Sequence, residues 1–144
     1  MADQRMTEAE RQAFLAGLHV GVLGVERADG PPLVLPVWYS YEPGGDVVVL
    51  TSASSLKGRL LAAARRASLC AQQEDLPYKY VSVEGSVTIE ELGAAASQAA
   101  VEPMAIRYLG EEMGRGYAAN SVGPDDVLIR LHPERWFSVD YAKS

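Results

Sequence analysis

The stretch Thr51-Ser52-Ala53-Ser54-Ser55-Leu56-Lys57-Gly58-Arg59 sets hydroxyls, two cations and the start of a helical pattern side by side. A helix start favours an anion through its unpaired backbone N–H groups and its dipole. Lys57 in that first turn opposes the dipole, because cations are stabilised at the other end. A phosphate there would resolve the conflict, neutralising Lys57 while the hydroxyls and N–H groups donate to its oxygens. The competing reading is a solvated, capped helix start whose basic residues are incidental. A nucleotide loop of the GxxxxGK[ST] type does not fit, since Gly58 follows the lysine and no glycine arch precedes it.

Val37-Trp38-Tyr39-Ser40-Tyr41 crowds aromatics onto one predicted strand, with Trp38 and Ser40 on one face and Tyr39 and Tyr41 on the other. Such a cluster lines a planar ligand or fills a core. Tyr78-Lys79-Tyr80 repeats the pattern more weakly. The carboxylate pairs Glu90-Glu91, Glu111-Glu112 and Asp125-Asp126 read as solvated, because adjacent side chains diverge on any regular element. His19 and His132 lack metal-ligand spacing and read as structural, so no metal is assigned. Cys70 reads as a buried strand position without a nearby histidine, and no GxSxG elbow is present. No catalytic residue is singled out.

The elements that must position these groups follow from capping and periodicity. Thr7-Glu8-Ala9-Glu10 has capping-box spacing and predicts a helix over 8–16 closed by Gly17. Strands are predicted over 19–26, 33–41 and 47–51, joined by turns at Ala28-Asp29-Gly30 and Glu42-Pro43-Gly44-Gly45-Asp46, as an antiparallel meander. Pro36 marks an edge or bulge in the second. A helix follows over 56–66. Short strand 68–72 and long strand 78–89 come next, the latter alternating Tyr80, Ser82, Glu84 against Val81, Val83, Gly85. Residues 93–113 read as a helical insertion broken near Pro103, and 114–124 as loop, with Gly114-Arg115-Gly116-Tyr117 closing over the site or capping a helix. Strands at 126–131 and 135–139 finish the chain. Strands, then helix, then strands argue a mainly β, α+β barrel.

Composition bounds the answer. The 144 residues, with 48% hydrophobic and 22% charged, suit one globular domain over 1–144, with 1–13 as an N-terminal helix or arm. The charge is −6 and the only lysines are Lys57, Lys79 and Lys143, which disfavours nucleic acid. No apolar run of about 18 residues exists, so no membrane span is expected. Residues 1–11 lack the basic start and apolar core of a secretory signal. A lone Cys70 suits a reducing cytoplasm. A chain this short has no room for a separate nucleotide-binding half, so a cofactor would sit on this domain or between two copies.

From about Phe14 to Tyr141 the chain resembles the pyridoxamine 5′-phosphate oxidase-like FMN-binding split barrels, including their flavin/deazaflavin-dependent oxidoreductase branch. The resemblance rests on the order of Gly21-Val22-Leu23-Gly24-Val25, Pro36-Val37-Trp38-Tyr39, Thr51-Ser52 with Ser55-Leu56-Lys57-Gly58-Arg59, Ala67-Ser68-Leu69-Cys70, Tyr80-Val81-Ser82-Val83-Glu84-Gly85 and Pro133-Glu134-Arg135-Trp136. It implies a split β-barrel of antiparallel strands with flanking helices. It implies a homodimer with the cofactor, FMN or coenzyme F420, at the subunit interface, and hydride transfer to or from a small planar or unsaturated substrate. Lys57 and Arg59 would hold the phosphate with Thr51, Ser52 and Ser55. Val37, Trp38 and Tyr39 would run beside the ring, and Tyr78, Tyr80 and Trp136 would line the site from the partner. Leu56 and Leu60 stand where the family shows arginine and asparagine, and no Arg-rich clamp for vitamin B6 follows, which leaves the cofactor open. The alternative is a non-catalytic flavin- or heme-binding carrier or sensor on the same barrel.

Overall fold

The structure is a computed structural model that describes residues 3–143. Met1, Ala2 and Ser144, the ends of the predicted domain and of the N-terminal arm, lie outside the described residues. Helix α1 (Glu8–Ala16) starts on the capping box read from the sequence. The Thr7 hydroxyl accepts from Glu10 N–H at 3.2 Å, and the Glu10 carboxylate accepts from Thr7 N–H at 2.8 Å. Strands β1 (Gly21–Val25) and β2 (Leu33–Val37) then form an antiparallel hairpin, with β2 at the sheet edge. The edge accommodates Pro36, which has no N–H to give a ladder.

The meander ends there. Strand β3 (Val47–Ser52) pairs along its whole length with β6 (Asp126–Leu131), and only an isolated bridge between Ser40 and Val48 ties it to the segment after β2. The second strand also stops at Val37 rather than Tyr41. The Tyr39 N–H donates at 3.1 Å to the hydroxyl of Tyr108, from a distant helix, instead of to a strand partner. Between β3 and β6 in sequence lie helix α2 (Leu56–Ala64), β4 (Arg66–Gln73), the long β5 (Lys79–Glu91), α3 (Ala94–Leu109) and α4 (Glu111–Ser121); β7 (Arg135–Asp140) comes last. Strand β5 belongs to both halves of the curled sheet: its first part pairs with β4 and β7, its last part with β6. The result is a mainly β, α+β split barrel, as the sequence predicts.

Alternate residues of these strands point inward. Leu23 and Val25 of β1, Leu69 of β4, Val81 and Val83 of β5 and Ile129 of β6 are almost fully buried, with Leu15 and Leu61 from α1 and α2. Each such side chain stabilises the barrel by roughly 1.5–3 kcal/mol relative to an exposed one. Cys70 falls on the opposite parity, between buried Leu69 and Ala71, so it is half-buried on the outer face rather than in the core.

The helical segment differs most from expectation. Helix α3 runs straight through Pro103, and the break comes at Gly110, whose φ is 85°. The stretch 114–124, read as loop, is mostly α4. Its glycines lower helix propensity, but Gly114 is where α4 meets α3: a Cβ there would lie 2.5 Å from the Ile106 backbone. Close helix packing explains a glycine that by itself reads as a chain breaker. Among the described residues no helix is long and apolar enough to cross a membrane.

Candidate functional site

A cleft of about 500 Å³ opens between the ends of β2 and β3, the first turn of α2 and the α3–α4 hairpin. That volume lies in the range of small-molecule sites. Of the residues singled out from the sequence, Val37, Trp38, Thr51, Ser52 and Lys57 line it. Strand β3 delivers Thr51 and Ser52, and α2 begins directly after them because Ser55 caps it. The Ser55 hydroxyl accepts from Gly58 N–H at 3.0 Å and donates to Ser52 O at 2.7 Å. Ser55 is therefore part of the scaffold that holds the cleft floor, half-buried, with Thr51 Oγ1 3.2 Å from its Oγ.

Gly58 sets how closely this floor is built. A Cβ at this position would come within 2.2 Å of Ser52 O, so only glycine lets the helix start rest on the β3 end. One residue earlier, Lys57 enters the cleft. It is half-buried, and burial pushes its ammonium pKa down. Among the described residues it has no hydrogen-bond or ion-pair partner. Arg59 is exposed and lies outside the lining.

The wall opposite is aromatic. Trp38 stacks on Tyr108 with ring centroids 5.1 Å apart and planes 5° from parallel, and Tyr117 of α4 leans on it at 5.4 Å. The Tyr108 hydroxyl donates to His19 O at 2.6 Å and accepts the Tyr39 N–H, so one α3 residue fixes the stack to two backbone segments. Tyr39 itself points the other way, into the core, fully buried, with its hydroxyl donating to Leu15 O at 2.7 Å. Burial pushes that phenol pKa far upward. Tyr41 is likewise buried.

Tyr78, Tyr80 and Trp136 do not meet this cleft within one chain. Tyr78 is exposed just before β5, and Tyr80 stands on the outer face of β5 opposite Val139. Trp136 turns inward, edge-on to Tyr41 at 6.1 Å and beneath the Arg11 guanidinium at 4.9 Å.

Several lining residues are not legible as such in the sequence. Val20, Pro36, Leu50, Val101, Met104, Tyr117, Ser121 and Asp126 complete the cleft. Tyr117 belongs to the Gly-Arg-Gly-Tyr stretch read as closing over the site or capping a helix. Asp125 and Asp126 are not simply solvated. The Asp125 carboxylate accepts from Ser52 Oγ at 2.8 Å and Ser54 N–H at 3.2 Å, and hydrogen bonding from the Ser54 and Ser52 side chains lowers its pKa. Asp126 accepts from the buried Ser97 hydroxyl and from Gly123 N–H at 2.9 Å. The two histidines are committed elsewhere. His132 bonds Asp46 and Thr88. His19 bonds Phe14 O, and burial with nearby Arg107 lowers its pKa.

This geometry tests the fit of a phosphorylated planar cofactor. An unpartnered, partly desolvated ammonium beside Thr51 at a helix start fits an anionic end, and Trp38 with Tyr117 fits a flat body. Ser52 Oγ and Ser54 N–H are already bound to Asp125, and the Thr51 hydroxyl faces Ser55 Oγ, whose own proton goes to Ser52 O, so the anion grip falls chiefly on Lys57 rather than on the whole serine run.

The model of the pyridoxamine 5′-phosphate oxidase family matches residues 7–140. No curated protein matches the chain. Among solved structures, a conserved hypothetical protein of Mycobacterium tuberculosis superposes with a TM-score of 0.79 at 26% identity, covering 98% of this chain and 89% of its own. A protein named as an F420 reductase gives 0.68 at 22% identity, with coverage of 88% and 94%. A heme storage protein of Vibrio cholerae gives 0.61 at 20%, with 92% and 89%. These last two likenesses concern the fold.

Proposed function

The chain belongs to the pyridoxamine 5′-phosphate oxidase family, and on that premise we propose that it is an oxidoreductase that holds FMN or coenzyme F420 in the cleft between β3, α2 and the α3–α4 hairpin. It transfers a hydride to or from a small planar or unsaturated substrate. The observation that carries this reading is Lys57, a cation partly withdrawn from water, without a partner among the described residues, facing a cleft with an aromatic wall. An unpaired charge is costly to bury, so a ligand anion that pairs it recovers that cost.

When bound, the cofactor supplies the hydride chemistry, and the protein binds, orients and shields it. Lys57 Nζ donates to the anionic end, and Thr51 Oγ1 joins it when its hydroxyl turns away from Ser55 Oγ. Trp38, locked by Tyr108, holds the flat body at a fixed tilt, while Val20, Val37 and Val101 exclude water from it. The exposed rim at Tyr117 and Ser121 admits the solvent that supplies or takes the accompanying proton. Tyr39 is no proton donor in this scheme, since its hydroxyl is spent in the core.

The same proposal includes a second copy of the chain. The chain exposes 8241 Å², against roughly 7,000 Å² for a compact monomer of this mass. The outer face of the sheet carries Pro36, Val22, Cys70, Ser82 and Phe137 in one transverse row, with Val22 and Phe137 exposed and no element of the chain covering them among the described residues. The excess, roughly 1,000 Å² by that scaling, is somewhat more than the ~800 Å² that one partner buries in a standard interface. Docking there would be the arrangement in which the partner's Tyr78 and the partner's Tyr80 stand beside the site.

The test is a fluorescence titration of the purified protein with FMN and with F420, followed by stopped-flow reoxidation of the reduced form against a panel of enones and quinones. Micromolar binding of one cofactor and a substrate-dependent rate are expected. Failure of both to bind defeats the proposal, and binding without any substrate-dependent rate replaces it with the carrier reading.

A further inference from the structure

The α3–α4 hairpin leaves the barrel and returns to it at one end, through residues 92–93 and 122–125. That base is tied to β6. Leu92 N–H donates to Asp126 O at 3.1 Å, and the buried Ser97 hydroxyl donates to the Asp126 carboxylate. The tip at Gly110 lies roughly 24 Å further on, at the end of the sixteen-residue α3. The two helices form one body, since Gly114 of α4 rests against the Ile106 backbone of α3. Between that body and the barrel lie two spaces, the Lys57 cleft of about 500 Å³ and an apolar groove of about 340 Å³ under α3, with Leu50 and Met104 lining both. Packed interiors leave few voids larger than a water, so dispersion holds the middle of α3 down only weakly.

Hydrogen bonds close the tip. The Tyr108 hydroxyl donates to His19 O at 2.6 Å and accepts from Tyr39 N–H at 3.1 Å. Arg107 Nη2 donates to Gly17 O at 2.7 Å and to Ala16 O at 3.2 Å. Every barrel-side group in this latch is backbone, and on opening each exchanges its bond for one to water, so the net hold is modest. Closure also carries a penalty. Arg107 Nε is buried with no hydrogen-bond partner among the described residues, and opening returns it to water.

We propose that the α3–α4 hairpin is a lid on the Lys57 cleft, hinged at its base on residues 92–93 and 122–125, and that it swings open as one body when the Tyr108 latch releases. Both hinge segments are irregular, the kind of short connection that absorbs backbone rotation in domain and lid motions. Opening carries Val101, Met104, Tyr117 and Ser121 away from Ser52 and Lys57 and lifts Tyr108 off Trp38, which uncovers the cleft to a ligand. That the ligand is FMN or F420 rests on the reading above; the motion itself does not.

Two measurements on the full chain, with no flavin or deazaflavin present, test the lid. The Tyr39 amide donates to the lid, whereas the nearby Ser40 and Val48 amides donate to each other's carbonyls on the barrel. Amide exchange followed by NMR is expected to find Tyr39 at least about tenfold less protected than Ser40 and Val48. The second measurement is thiol labelling of Met104→Cys, a buried position under the middle of the lid, with Cys70→Ser removing the other thiol. Labelling is expected to be faster than global unfolding, measured by urea melts of the same variant, allows. Adding Tyr108→Phe, which keeps the ring and deletes the hydroxyl, accelerates it about tenfold or more. Tyr39 protection equal to that of Ser40, labelling only through global unfolding, or labelling unchanged by Tyr108→Phe overturns the proposal. Fraying of the α3 end alone would release Tyr39 but leave the Met104→Cys thiol protected, and that result overturns it too. No cofactor enters either measurement, so their outcome and that of the cofactor titration are separable.

Discussion

Replacing Lys57 by Met keeps an unbranched side chain of nearly the same length and removes the ammonium. In the free protein that ammonium has no partner among the described residues, and burial holds its pKa below the ordinary lysine range. Its charged form is therefore less favourable folded than unfolded. The variant is expected to melt slightly higher than the parent. The sign fixes the pH dependence as well. With the folded pKa depressed, the unfolded state keeps its proton longer, so the parent gains stability as pH rises toward the lysine range and the gap to the variant narrows. Binding moves oppositely. A charge-assisted hydrogen bond to a phosphate oxygen contributes about 1.5–3 kcal/mol, so Lys57→Met should weaken cofactor binding roughly 10- to 150-fold. The assay pairs thermal melts across pH with fluorescence titration of FMN and F420 for parent and variant. A variant that melts lower, or binds the cofactor within about twofold of the parent, refutes the role given to Lys57.

Three further outcomes follow from the same geometry. Gly58→Ala should destabilise the fold in urea by about 1–3 kcal/mol through overpacking against Ser52 O, even though an exposed helical glycine gains about 1 kcal/mol on the same change; a higher urea midpoint would contradict the packing described. Tyr39→Phe leaves the buried Leu15 carbonyl without its donor and should lower stability by about 1–3 kcal/mol, with cofactor affinity unchanged by titration; a loss of affinity at equal stability would return Tyr39 to the site. Glu10→Gln should destabilise most at neutral pH. The Glu10 carboxyl is held down to about 2 by Lys143 and by the Thr7 cap, so its contribution is present above the ordinary carboxylate range and fades as pH falls toward that value. Melts that differ equally at all pH values would show that the pairing contributes nothing.

The local elements are legible because their causes are local. The capping box at Thr7 and Glu10, the start of α2 at Leu56 and the alternation along β5 rest on hydrogen bonds and periodicities within a few residues, and each appears where the spacing predicts it. The same holds for Lys57, which its position against the helix dipole marks out from the residue order alone. What the spacing leaves open is which distant segments meet. Strand β3 pairs with β6 rather than β2, and Asp125 comes round to bind Ser52 and Ser54. The aromatic run is divided because the alternation of inward and outward residues carries on past the end of β2, so Trp38 goes to the cleft and Tyr39 to the core. Which side is which depends on what covers each face, and that is set by Tyr108 on α3. The glycine-rich stretch 114–121 is helical for a similar reason, since Gly114 admits the Ile106 backbone and packing outweighs weak propensity. The charge at Lys57 and the caps around it are determined by the sequence alone; the cleft they serve exists only because the tertiary fold brings β2, β3, α3 and α4 to that helix start.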